Sequence, residues 1–197
     1  MQLTELLKIS LFKGLNETDV VEFLYGAPSN LRRYNTGDSI ARQGNLCRGA
    51  YILVSGRVRC SMSGDDGKEI TVDEMTAPCI LASAFIFATE NRFPVNVEAL
   101  VPCELYIIGK AHFLEFMHKH PVMLENFLRD ISDRGVFLSR KVNEFALQNL
   151  KTRILAYLEK NPDIHNQREV AQRLGVTRPS LARALSELIA ENKIKKG

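Results

Sequence analysis

Several kinds of chemistry have no foothold in this chain. It contains no G-x-S-x-G, no H-E-x-x-H and no P-loop. Those spacings position a nucleophile, a metal-bound water or a phosphate cradle, so their absence removes the usual routes to hydrolysis and phosphoryl transfer. No enzyme is expected. No Cys-x-x-Cys pair occurs among the four cysteines, Cys47, Cys60, Cys79 and Cys103. Closely spaced thiolates are what hold an iron–sulfur cluster, so no iron–sulfur cluster is expected either. No signal peptide opens the chain, and the cysteines do not read as a disulfide framework. No apolar run approaches the ~20 residues that span a bilayer, so no membrane partner is expected. These absences point to a soluble, cytoplasmic protein whose thiols stay reduced.

What is present is ordinary globular composition. The 197 residues are 45% hydrophobic and 25% charged, enough apolar side chain for one large or two small cores. The net charge of +3 conceals an asymmetry. Residues 1–150 carry 16 basic and 18 acidic groups, a net of −2, while residues 151–197 carry 10 and 5, a net of +5. A basic C-terminal quarter points to a polyanionic partner, most simply double-stranded DNA.

The hydrophobic period changes twice. Asn16 precedes a helical pattern through Val20, Val21 and Leu24, with Glu17 and Asp19 in its first turn. From residue 31 the apolar runs shorten, as in Tyr51–Val54 and Val58–Met62. Turn signals separate them at Thr36-Gly37-Asp38, Gly44-Asn45, Ser55-Gly56 and Gly64-Asp65-Asp66-Gly67. Many short strands at ~10-residue spacing predict a β-barrel or jelly roll ending near Ile108. A short helix over Ala111–His118 breaks near His120-Pro121. A long one follows, with Leu124, Leu128, Ile131, Leu138, Val142 and Phe145 as a narrow apolar seam. Such a seam faces a partner helix, so these six residues are the candidate dimer interface, with Gly135 permitting close approach.

The densest pattern lies in residues 166–190. Asn166 with Glu169 resembles a capping box, and Val170, Ala171 and Leu174 form an apolar face. Gly175 suits the left-handed turn that ends the helix, Val176 plugs the core, and Thr177 caps the next helix with Pro179 in its first turn. Leu181, Leu185 and Leu188 face inward, opposite Pro179, Ser180 and Arg183. This is a helix-turn-helix, whose second helix enters the major groove. Arg178 and Arg183 are the base-reading candidates, because a guanidinium fork matches the O6 and N7 of guanine. Thr177 and Ser180 suit phosphate oxygens, and Pro179 and Gln167 complete the candidate contact set.

The order of a β-barrel carrying Arg42-Gln43-Gly44 and Tyr51-Ile52-Leu53-Val54-Ser55-Gly56-Arg57-Val58, then a long helix, then this helix-turn-helix, resembles the CRP/FNR family of bacterial transcription regulators. The resemblance covers essentially the whole chain. It implies an α+β protein with an N-terminal double-stranded β-helix of cyclic-nucleotide-binding type over residues 1–110. Connecting helices with a long dimerisation helix would occupy 111–150, and a winged helix-turn-helix 151–197. It also implies a homodimer, binding to double-stranded DNA and contact with RNA polymerase. Family members that hold an iron–sulfur cluster do so with an N-terminal cysteine group, which this chain lacks. An acidic residue commonly separates the two recognition arginines in the family, where this chain has Pro179. The loop Asn161–His165 is short for the family. The chain stops at Lys195-Lys196-Gly197, so the wing is expected to be truncated.

The resemblance also identifies the effector pocket. Nucleotide-binding members carry Gly-Glu, nine residues, then Arg-Ser, the Glu holding the ribose and the Arg the cyclic phosphate. Here that spacing falls on Ala82-Ser83 and Phe93-Pro94. Losing a charge-assisted hydrogen bond worth ~1.5–3 kcal/mol makes cyclic AMP a poor ligand. Arg92 stands one residue early, which on a strand turns its side chain to the other face. Ala82, Ser83, Phe85, Phe87, Phe93 and Pro94 are the pocket candidates, read as an apolar cavity with small residues at its floor. This stretch is similar to the HcpR-like branch of the family, tied to nitrosative stress. Such a cavity would suit haem sensing nitric oxide, another flat apolar ligand, or nothing. No metal ligand can be assigned from the sequence: His112, His118, His120 and His165 show no ligand spacing, and Met75, Met117 and Met123 suit core filling.

The expectation is thus a homodimeric, sequence-specific DNA-binding regulator that senses an effector other than cyclic AMP. The competing reading is a ligand- or haem-binding module that does not bind DNA.

Overall fold

The computed structural model describes residues 6–26, 30–64, 69–161 and 166–194. The turn signal at Asp65–Gly67, the loop positions 162–165 with His165, and Lys195–Gly197 lie outside these residues. The described chain forms two compact units, Met1–Cys60 with Asp73–Val136, and Ser61–Val72 with Phe137–Gly197.

The first unit starts with a 3-10 turn at Ser10–Phe12 and helix α1 at Glu17–Tyr25. Asn16 and Asp19 close a reciprocal cap: Asp19 N–H donates to Asn16 Oδ1 at 2.9 Å, and Asn16 N–H to Asp19 Oδ2 at 3.2 Å. The helix buries Val20, Phe23 and Leu24, its i, i+3, i+4 face. Eight strands follow, β1 Asn30–Tyr34, β2 Ser39–Ala41, β3 Gly49–Ser55, β4 Arg57–Ser63, β5 Glu69–Thr76, β6 Cys79–Leu81, β7 Asn96–Ala99 and β8 Cys103–Gly109. They form two four-stranded sheets, β1-β8-β3-β6 and β2-β7-β4-β5. The pairings β1–β8, β2–β7, β3–β6 and β3–β8 are all antiparallel. Sequential strands alternate between the sheets except for β4 and β5, which are neighbours in one sheet, an order that fits the jelly-roll expectation. β3 is buried along six of its seven residues, so it reads as a continuous apolar run and not as an alternation.

Helix α2, Lys110–Lys119, follows β8 directly, and helix α3, Pro121–Leu147, begins one residue after it ends. Phe113, Phe116 and Met117 of α2 and Met123 and Phe127 of α3 are buried in the first unit's core. The second unit holds the last part of α3 with helices α4 Leu150–Lys160, α5 Gln167–Arg173 and α6 Arg178–Ala190. A separate core of Ile154, Val170, Ala171, Leu174, Leu181, Ala184 and Leu188 holds α4, α5 and α6 together.

The expected seam of α3 divides into three groups. Leu124 and Ile131 pack on the first unit's own core. Leu128 and Val142 are 54% and 66% exposed, Leu138 is also exposed, and Val136 beside them is open to solvent. Phe145 lies against the Gly175 backbone within the second unit. The physical reason is length: at 1.5 Å per residue the 27-residue helix extends ~40 Å, and its two ends fall in different compact units, so one stripe meets different neighbours.

The turn between β3 and β4 depends on Gly56. Its φ is +97°, and an added Cβ would lie 2.5 Å from Cys103 Sγ and 2.6 Å from the Pro102 carbonyl oxygen. Gly56→Ala is expected to cost about 3 kcal/mol or more, strain and clash together, read as a fall in the urea midpoint at constant slope.

Candidate functional site

The helix-turn-helix is built from local signals. Asn166 Oδ1 accepts from the backbone N–H groups of Arg168 and Glu169 and so starts α5. The helix ends in a Schellman turn: Val176 N–H donates to Ala171 O at 2.9 Å, Gly175 N–H to Gln172 O at 3.2 Å, and Gly175 takes φ +63°. Thr177 Oγ1 then accepts from Ser180 N–H and also bonds the Ser180 hydroxyl at 2.9 Å, which starts α6 with Pro179 in its first turn.

These caps set the orientation of α6. Leu181, Ala184 and Leu188 are buried, and Leu185 and Val176 pack against the same core. Thr177, Arg178, Pro179, Ser180 and Arg183 are exposed, and Gln167 is exposed at the start of α5. All six candidate contact residues therefore reach solvent. Among the described residues, neither Arg178 nor Arg183 forms an ion pair. A groove of about 470 Å3 runs beside α6, lined by Ser180 and Arg183 and, from α4, by Lys151 and Thr152. Lys151 Nζ lies 2.8 Å from Glu187 and 2.5 Å from Glu191, and Lys193 Nζ lies 2.8 Å from Glu191. The hydrogen bond from Lys151 leads in holding the Glu191 carboxyl down at about 2.

Two residues here escaped sequence reasoning. Lys151 had no pattern to mark it. Arg153 looked like one more basic surface residue, yet it is buried, and its Nη1 donates to Leu174 O at 2.6 Å, at the C-cap of α5. Its guanidinium carbon lies 5.7 Å from the centre of the Phe145 ring. No sequence signal separates a buried helix arginine from an exposed one, since either reads as a polar position.

In the first unit, Ala82 takes φ +59°, a left-handed conformation that costs a non-glycine residue ~1–2 kcal/mol. The turn aims buried Ser83, whose hydroxyl donates to the Asp130 carboxylate of α3. Arg134, one turn further along α3, donates from Nη1 to Asp73 at 2.8 Å and from Nη2 to Met75 Sδ at 3.3 Å. The expected apolar cavity is therefore polar on this side. Its aromatic candidates also separate. Phe87 packs against Phe113 and Phe127, while Phe93 packs edge-on against Tyr51 with centroids 5.2 Å apart. Phe85 and Pro94 are half-buried. Arg92 turns away, its Nη1 donating to the Gly44 carbonyl at 2.7 Å.

Burial pushes the Cys60 and Cys79 thiols up to about 12, with Asp73 adding to the rise at Cys60 and Arg134 opposing it at both. His112 bonds the Phe23 carbonyl at 3.2 Å, and His120 stacks on Phe116 at 4.1 Å. Among the described residues no group of three His, Cys, Asp or Glu side chains could hold a metal ion. No helix among them is long and apolar enough to cross a membrane.

A β-sandwich unit followed in the chain by a helix-turn-helix is the architecture of a DNA-binding regulator with a sensor domain. Comparison with known proteins agrees. The cyclic nucleotide-binding domain family matches residues 31–120, and the winged helix-turn-helix DNA-binding family matches residues 147–195. The cAMP-activated global transcriptional regulator CRP of Salmonella typhimurium is 22% identical over 194 residues, 92% of each chain. The cAMP-activated regulator Vfr of Pseudomonas aeruginosa is 24% identical over 173 residues, 80% of this chain and 81% of its own. Among solved structures, the c-di-GMP responsive regulator CLP of Xanthomonas campestris superposes with a TM-score of 0.75 at 21% identity. That match covers 90% of this chain and 93% of that one. A transcriptional regulator of Thermotoga maritima has a TM-score of 0.57 at 29% identity, covering 61% and 93%. The chain belongs to the CRP/FNR family of transcription regulators. It is a DNA-binding regulator with a sensor domain of cyclic-nucleotide-binding type.

Two outcomes are expected. Arg153→Ala removes a charge-assisted hydrogen bond worth ~1.5–3 kcal/mol and leaves a cavity, so the C-terminal unit should lose about 3 kcal/mol. Amide exchange should localise that loss to α5 and α6. For the thiols, the native state binds the proton more tightly than an unfolded thiol of ordinary value 9.0. Their contribution to stability is therefore whole below that pH and is lost as pH rises from there towards 12. Thermal unfolding across this range should show the fall, and Cys60→Ser with Cys79→Ser should flatten it.

Proposed function

We propose that this protein acts as a homodimeric, sequence-specific transcription regulator that reads DNA with α6. The observation that carries the reading is the division of that helix: Leu181, Ala184 and Leu188 are buried while Arg178, Ser180 and Arg183 stand in solvent at its N-terminal end. Arg178 and Arg183 would read base edges. Ser180 and Thr177 would meet phosphates, with Pro179 and Gln167 at the margin of the contact. Two such helices in a dimer reach successive major grooves about 34–36 Å apart, so the operator is a pseudo-palindrome. Contact with RNA polymerase is part of the same family-based reading. The apolar residues left exposed on α3, Leu128, Val136, Leu138 and Val142, support pairing with a second copy. Gly135 among them leaves room for a close approach.

The sensor domain answers to something other than a cyclic nucleotide. A cyclic phosphate needs a guanidinium at its binding site, but Arg134 is engaged with Asp73 and Arg92 with Gly44. Asp130 would repel an anion held beside Ser83. The position beside Ser83 therefore offers an anionic phosphate no free guanidinium. His112 and His120 are committed to aromatic neighbours, and the Met75 sulfur accepts from Arg134.

Three measurements test this. Arg178→Ala with Arg183→Ala is expected to weaken binding to a duplex selected from a random library at least roughly thirtyfold, at ~1–3 kcal/mol per bidentate arginine. Unchanged affinity would sink the DNA reading. Leu128→Glu with Val142→Glu should shift sedimentation from dimer to monomer, and a persistent dimer would place the interface elsewhere. Calorimetric titration with cyclic AMP should show no saturation up to about 1 mM. A clean micromolar isotherm would overturn the sensor reading.

A further inference from the structure

The far flank of the sensor segment carries a second candidate site. A recess of about 410 Å3 opens between the β2–β3 connection and the segment leading into β7. That size falls within the range of small-molecule pockets. Arg48 and Arg92 both line it, Tyr51 and Phe93 line it from the core side, and Gly44 and Asn45 form its rim. No acidic side chain lines it, and among the described residues neither arginine forms an ion pair. Two guanidinium groups sharing one recess repel each other, and that arrangement persists at no gain unless something negative sits between them.

The frame holding the arginines is rigid. Gly44 N–H donates to Phe93 O at 2.8 Å, Phe93 N–H to Asn45 O at 2.8 Å, and Cys47 N–H to Asn91 O at 2.7 Å. Arg92 adds its own bond to Gly44 O at 2.7 Å, which fixes one face of its fork and leaves other N–H donors free to turn to the recess. Arg48 is exposed, and it lines the same recess as Tyr51. Tyr51 is almost fully buried, and burial keeps its hydroxyl protonated as a donor. Preorganised donors on a laced backbone lose little entropy when a ligand arrives.

We propose that this recess binds a small oxyanion, a carboxylate or phosphate group, gripped between Arg48 and Arg92 and capped by the Tyr51 hydroxyl. The site is distinct from the surroundings of Ser83 and Asp130: Phe93 packs here against Tyr51, whereas Phe87 packs against Phe113 and Phe127. An anion bound here would bear directly on the backbone of the segment that carries Ala82 to Val97.

The test is calorimetric titration of the full chain, in chloride buffer, with inorganic phosphate and separately with citrate. Saturable binding of one anion per chain is expected, and the tighter of the two probes identifies the preferred oxyanion. Arg48→Glu should weaken that binding at least tenfold while leaving the fold intact by circular dichroism, because Arg48 is exposed and its side chain forms no hydrogen bond or ion pair among the described residues. Tyr51→Phe should weaken it a few-fold. The Arg178→Ala, Arg183→Ala variant should bind the probe as the parent does, which separates this site from the DNA-reading surface. Signals that do not saturate, or that survive Arg48→Glu, would overturn the proposal and leave the DNA reading untouched.

Discussion

The Arg153 guanidinium lies in the core of the C-terminal unit and donates a 2.6 Å hydrogen bond to the Leu174 carbonyl. That carbonyl stands where α5 ends and the chain turns left-handed at Gly175. A helix leaves its last carbonyls without partners, and a buried charge without a partner is costly. Each offsets part of the other only if the turn sits where Arg153 can reach it, and among the described residues the buried Arg153 Nε still has no hydrogen-bond partner. Phe145 closes the other side, with its ring against both the guanidinium and the Gly175 backbone. The direction of α6, and hence where Arg178 and Arg183 point, follows from a turn that is fixed on several sides at once.

The sensor unit satisfies its buried polar groups in the same way. Ser83 answers Asp130, and Arg134 answers Asp73. Both pairs tie α3 to the β-sandwich within that unit. In a family whose relatives include cAMP-activated regulators, this chain supplies its own polar partners beside Ser83. A ligand there would have to displace two internal bonds, which is a demand on its affinity that an open pocket does not make. Ala82 in a left-handed conformation marks the same spot as one where backbone geometry outranks local preference.

Helix α3 shows how one periodic pattern serves several neighbours. Its early apolar residues belong to the sensor core, Phe145 belongs to the second unit, and Leu128, Leu138 and Val142 between them are left to solvent. Exposed aliphatics along one helix are what a second copy would cover.

By itself the sequence determined the helix caps, the principal turns and the two changes of period, while α4 carried no such mark. Asn16, Asn166, Thr177 and Gly175 cap or end helices through bonds spanning at most five residues, and short-range rules suffice for such contacts. The alternation of short apolar runs with turn residues was enough for a β-sandwich, and the outward face of α6 followed from its inward leucines. Only the tertiary structure decided which polar groups meet. Arg134 finds Asp73 across 61 residues, and Arg153 finds Leu174 across 21. It also sent Phe87 and Phe93, six positions apart in one segment, into different aromatic clusters. The reason is that burying a charge or a ring is a property of the whole packed core. Partners there are chosen by distance in space, which no local pattern encodes.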